Sequence, residues 1–232
     1  MSVTNLNLLK RKEDTRDKAV PKVSSFELNE IMKHFTEAIN EIDKQGNLAD
    51  ELVDSGNISI AENLWRSQIV FLSSAFDFYM HELTKYGLYK IFKGEWEKTQ
   101  KYCNIQVDME SIERALKNAE DRHWFLEYIN NYYSSATMVS YDSVKKQLNL
   151  MDIDIRKIAN DAFYERGNEE KTIDKLKRRL NELFYRRNII VHQTDREHSN
   201  AKIKEIKKET VIEYMDDIKK IVNAIDKEAQ NK

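Results

Sequence analysis

Residues 172–192 read Thr-Ile-Asp-Lys-Leu-Lys-Arg-Arg-Leu-Asn-Glu-Leu-Phe-Tyr-Arg-Arg-Asn-Ile-Ile-Val-His. Ile173, Leu176, Leu180, Leu183, Arg187 and Ile190 recur at alternating steps of three and four, the spacing of one face of an α-helix. The stretch therefore predicts an amphipathic helix with its apolar side set against a core. Arg178, Arg179 and Arg186 fall off the stripe, where solvated charges are expected. Arg187 falls on it, at a place that would ordinarily hold a leucine. A buried or half-buried guanidinium persists only where something anionic or strongly accepting meets it. Two partners fit that requirement: an internal carboxylate such as Asp77, or an external phosphate.

The rest of the composition agrees with helix. Among 232 residues there are one Pro and five Gly, and 34% are charged, so helix breakers are scarce and an all-α protein with a substantial core is expected. A formal net charge of −2 supplies no global field for polyanions, so any nucleic-acid contact must come from a local basic patch. Cys103 is the single cysteine and has no internal disulfide partner. The first twenty residues lack an apolar signal core, and no apolar run approaches a membrane span, which together imply a reducing, cytoplasmic setting. No Gly-rich phosphate loop is present. His192, His198 and Cys103 lack the Cys-x-x-Cys or His-Glu-x-x-His spacing of a zinc site, so no metal and no other cofactor is expected.

Along the chain, residues 1–23 read as a polar arm ending near Pro21, and residues 24–232 as one helical domain. Ser24 and Glu27 suggest a capping box, followed by a stripe of Leu28, Ile31, Met32, Phe35, Ile39 and Ile42 up to a stop at Gly46-Asn47. A second helix is expected from about Ser59 to Phe92. Its middle, Ile69 to Phe76, is apolar or small on every side, as in the most enclosed helix of a bundle. Lys93-Gly94 ends it. Residues 95–167 then read as a helical insert with candidate helices at Met109–Asn118, Trp124–Tyr133, Ser143–Leu148 and Ile153–Tyr164. Within it, Asp108, Glu110 and Glu113 suggest a wet helix face, and Trp124, Phe125, Tyr128, Tyr132 and Tyr133 a core or interface cluster. The helix at 172–192 is followed by a polar link and by a last helix at 209–229, with Thr210 and Glu213 as its capping box.

The close of the 172–192 helix, Arg187-Asn188-Ile189-Ile190-Val191-His192, places Asn directly after Arg and His five residues after it. This pattern resembles the signature of the HEPN superfamily, many of whose members are metal-independent RNases. The long apolar helix around Trp65 to Leu83 and the stretch Tyr141 to Asp152 look like its RiboL-PSP branch. The resemblance implies an elaborated four- to five-helix bundle that dimerises through the motif helix, and an endoribonuclease of toxin or anti-phage type. A neutralising antitoxin or defence-system partner would accompany that role, and the sequence does not identify one.

Asn188 and His192 are four residues apart and share a face, so the amide is placed to hold one imidazole nitrogen. Arg187 lies about 140° round from His192 on an ideal helix, too far for one subunit to focus both groups on one phosphate. A two-fold homodimer brings two such helix ends together and overcomes this. Imidazole can take a proton from a ribose 2′-OH or give one to the leaving 5′-oxygen, while Arg stabilises charge on the phosphate. The expected catalytic residues are thus Arg187, His192 and Asn188, with Arg186, Arg66 and Lys202 as RNA-binding groups. A catalytically silent HEPN module that dimerises or binds nucleotide, and a helical scaffold in which Arg187 pairs internally, are the competing readings.

Overall fold

The computed structural model describes residues 23–117, 122–167 and 169–232. The expected polar arm therefore lies outside the described residues except for Val23. Nine helices are described, and apart from one isolated antiparallel bridge between Arg196 and Ile203 no strand pairing occurs among these residues.

Helix α1 (Leu28–Asp54) starts one turn later than Ser24 suggests. Residues 24–27 are not helical, and the box forms between Glu27 and Glu30, whose carboxylate accepts the Glu27 N–H at 2.9 Å. The expected stop at Gly46-Asn47 is not one, because the helix continues to Asp54. Gly46 is instead a point of close approach: a Cβ there would lie 3.0 Å from Nε2 of Gln68, which donates to the Ile42 carbonyl at 2.8 Å. A buried polar contact between two helices, rather than chain termination, explains the glycine.

Helix α2 (Ile58–Lys93) packs along α1 and ends at Gly94, which takes the left-handed conformation at φ +80°. Ile69, Leu72, Phe76, Tyr79, Met80 and Leu83 are fully buried in the one continuous core. Each side chain of this size contributes roughly 1.5–3 kcal/mol through burial. The helix is not enclosed on every side, however, since Phe71 and Phe78 are 49% and 46% exposed.

The stretch 95–167 holds α3 (Gln100–Cys103), which the pattern did not suggest, then α4 (Met109–Lys117), α5 (His123–Tyr133), α6 (Tyr141–Leu150) and α7 (Ile155–Phe163). α5 covers the C-terminal half of α2, with Phe125 stacked on Phe92 at 4.3 Å, and Phe125, Tyr128 and Tyr133 are buried. Asp108, Glu110 and Glu113 are all exposed, as expected of a wet face, and Asp108 also starts α4 by accepting both the Ser111 N–H and hydroxyl at 2.8 Å. α7 packs against both α8 (Thr172–Gln193) and α9 (Lys208–Gln230), which makes it a bundle member with α1, α2, α8 and α9.

Two charged positions on these last helices differ from expectation. Thr210 and Glu213 do not cap α9, which begins at Lys208. Glu213 instead lies 3.0 Å from Arg179. Arg179 is itself buried, bound to Asp217 and, at 3.1 Å, to Glu182, with its guanidinium over the Tyr214 ring. Burial alone would depress this guanidinium, yet the hydrogen bond and charge of Asp217, with Glu213 and Glu182, hold it above its ordinary value. The buried arginine of α8 is therefore one turned toward α9, and a carboxylate on that helix neutralises it.

Candidate active site

The last turns of α8 are positioned from both sides. Leu176, Leu180 and Leu183 anchor the helix in the core, and Asn181 accepts the backbone N–H of Tyr141, tying α8 to α6 at 3.2 Å. Beyond Leu183 the helix emerges: Arg187, Asn188, Ile189 and Ile190 are half-buried, and Val191 and His192 are exposed. Ile190 still packs on the core, so the expected stripe holds to the end.

Arg187 meets no internal carboxylate. Among the described residues no Asp or Glu oxygen lies within 4 Å of it, and its Nη1 donates to Oδ1 of its neighbour Asn188 at 2.9 Å. Asp77, the internal partner considered from the sequence, accepts the Met138 N–H and lies 3.8 Å from His81. The amide of Asn188 thus orients the guanidinium rather than the imidazole. His192 makes no hydrogen bond or ion pair among the described residues and stands on the exposed side of the last turn. An uncompensated guanidinium at partial burial can bind a phosphate, and the exposed imidazole five residues on, pointing about 140° round the same helix end, can transfer a proton.

Arg66 and Arg186 are brought together, though they face a carboxylate. Asp195, fully buried, accepts from Nε of Arg66 at 2.8 Å and from Nη2 of Arg186 at 2.9 Å, and its other oxygen lies 2.7 Å from Nη1 of Arg186. Arg66 also donates to the Lys204 carbonyl at 2.8 Å, and Arg186 to that of Glu205 at 3.1 Å. Arg186 was expected to be solvated and is instead enclosed, its side chain 15% exposed, because the chain folds back over it after α8. Lys202 is exposed at the tip of that returning loop, two residues before Lys204.

The full matching span settles kinship: residues 27–231 match the model of the RiboL-PSP-HEPN family. The chain belongs to the RiboL-PSP-HEPN family. The match includes all nine described helices, and the Arg187–His192 motif lies within it. Comparisons with curated proteins and with solved structures find no match. Membership in the HEPN family supports an RNase or a nucleotide-binding role for this chain. No described helix is long and apolar enough to cross a membrane.

Asp195 is the site residue that sequence reasoning missed. It lies outside the Arg-to-His motif and close to other charged residues such as Arg196, Glu197 and Lys202, so nothing in the pattern singled it out. The one local signal is weak: Thr194 and Asp195 both take positive φ, +50° and +56°, and Asp is among the few residues that tolerate this.

Proposed function

We propose that this RiboL-PSP-HEPN protein is a metal-independent endoribonuclease whose active site is assembled from two copies of the α8 end. The observation that carries the proposal is Arg187: half-buried, held by Asn188, and without a carboxylate among the described residues. A core arginine of the same helix, Arg179, is matched by Asp217, so the unmatched one is available for an external anion. In the proposed reaction His192 removes the proton from a ribose 2′-OH as that oxygen attacks the adjacent phosphorus. The 5′-oxygen leaves and takes a proton from the His192 of the second subunit, and Arg187 stabilises the negative charge that gathers on the phosphoryl oxygens. The products are a 2′,3′-cyclic phosphate and a 5′-hydroxyl. Tyr185 and Val191, 62% and 45% exposed beside the motif, are apolar surface that a second subunit would cover. A toxin or anti-phage role, in a cytoplasmic setting, is the biological context in which such an activity fits.

The test compares an RNA oligonucleotide with one carrying a single 2′-deoxyribose at the cut site, each with and without excess EDTA. Cleavage of the first only, unaffected by EDTA and ending in a cyclic phosphate, is expected. Equal cleavage of both, or loss of activity in EDTA, refutes the mechanism. Tight RNA or nucleotide binding without any cleavage would favour the non-catalytic module.

A further inference from the structure

The side chains of His192 and Lys202 make no hydrogen bond or ion pair among the described residues, while the Lys202 N–H donates to Oδ1 of Asn200 at 2.8 Å, so the backbone that carries them determines where they stand. Asp195 is where the α8 end and the returning loop meet, while nearer Lys202 the loop is also tied by the Glu197 N–H to the Lys202 carbonyl at 2.9 Å and by Arg196 to the Ala201 carbonyl at 2.7 Å. The Asp195 side chain joins Arg66 of α2 to Arg186 of α8. Its N–H donates to the Ile189 carbonyl in the last turn of α8 at 3.2 Å, and its carbonyl accepts the Lys204 N–H from the returning side of the loop at 2.8 Å. The two arginines complete the frame by gripping the carbonyls of Lys204 and Glu205. His192 lies three residues before this junction and Lys202 two residues before Lys204. The left-handed turn at Thr194 and Asp195, which the backbone does not favour by itself, is thereby kept in place by a buried carboxylate between two guanidiniums.

We propose that Asp195 is a positioning residue for the RNA-cleaving site: it sets the angle of the α8 end that carries His192 and the stance of the loop that carries Lys202, without touching the substrate. The inference rests on the RNase reading above. Arg186 then acts with it as the second half of the frame, and its planar head matters as well as its charge, since Nη2 donates both to a carboxylate oxygen and to the Glu205 carbonyl while Nη1 lies 2.7 Å from the other carboxylate oxygen. A misplacement of the order of 1 Å at a reacting group costs on the order of 100-fold in rate, so loss of this frame is expected to appear in kcat more than in KM.

The test uses the full chain and four proteins: the wild type, Asp195→Asn, Asp195→Asn with Arg66→Gln, and Arg186→Lys. Two guanidiniums and one carboxylate sum to +1; Asp195→Asn makes the cluster +2, and the added Arg66→Gln returns it to +1. The double variant is therefore expected to regain melting temperature over Asp195→Asn while its kcat stays on the order of 100-fold below wild type. Arg186→Lys, which keeps the charge and loses the fork, is expected to melt near wild type and to lose kcat by at least tenfold with KM much less changed. Activity that returns together with melting temperature in the double variant, or a wild-type kcat in Arg186→Lys, overturns the positioning role and assigns Asp195 to stability alone. A wild type that cleaves no RNA overturns the RNase reading, and this inference falls with it.

Discussion

Arg179→Met should destabilise the protein severely while Arg187→Met, eight residues along the same helix, should leave it nearly unchanged. Arg179 and Asp217 have side chains only 7% and 10% exposed, so removing the arginine leaves a carboxylate largely cut off from water and without its counter-charge. Breaking such a pair costs about 3–5 kcal/mol. The exposed partners Glu182 and Glu213 add little, being screened by solvent, and the contact with Tyr214 adds about 0.5–1 kcal/mol. For a chain of this size 1 kcal/mol shifts the melting temperature by about 2–4 °C, so a fall of about 6–20 °C is expected. Arg187 has no carboxylate to strand among the described residues, and its replacement removes one half-buried hydrogen bond to the neighbouring Asn188, worth about 1 kcal/mol. Thermal unfolding followed by circular dichroism at 222 nm measures both. Arg179→Met with Asp217→Leu should recover most of the loss, since an apolar pair replaces the ionic one. A large fall for Arg187→Met, together with a small one for Arg179→Met, would refute the assignment of structural and functional arginines.

Arg187→Ala and His192→Ala should each reduce RNA cleavage by at least 1,000-fold, on the order expected when a member of a cooperating catalytic set is removed, with melting temperature within a few degrees of wild type. Light scattering at micromolar concentration should give twice the chain mass; a monomer at every concentration leaves the composite site without a basis. Asp226, buried on α9 with Gln230 donating to it at 2.6 Å, has its carboxyl raised by burial above the ordinary 3.8, an effect that the hydrogen bond partly offsets. The folded state then holds the proton more tightly than the unfolded one, so this group's contribution to stability is greatest below 3.8 and falls as pH rises through the folded value. Asp226→Asn should accordingly melt higher than wild type at pH 7, with the difference shrinking toward pH 4; equal melting at all pH values would show that the carboxylate is adequately solvated.

Much of the helical framework was legible because its information is local. The three-and-four spacing from Ile173 to Ile190 specifies α8, the apolar and small residues of Ile69 to Phe76 mark α2 as a core helix although Phe71 is exposed, and Lys93-Gly94 ends it as expected. The motif itself needs only six consecutive residues, so Arg187, Asn188 and His192 stand out from the chain alone. Local signals also misled where a long-range contact took precedence. Gly46 has the appearance of a stop but serves the Gln68 crossing, and Thr210 and Glu213 have the appearance of a cap although α9 has already begun.

What the sequence by itself determined was the helices, their apolar faces and the arginine and histidine at the end of one of them, because periodicity and neighbour spacing act within a few turns of chain. Which arginine is neutralised and which is left unmatched depended on tertiary structure alone. Arg179 and Asp217 are 38 residues apart, and Arg66 and Asp195 are 129 apart. A guanidinium on the helix wheel looks the same whether or not a distant carboxylate will reach it, and only the packing of α2, α8, α9 and the returning loop places Asp217 on one and Asp195 between two others, leaving Arg187 without a carboxylate among the described residues.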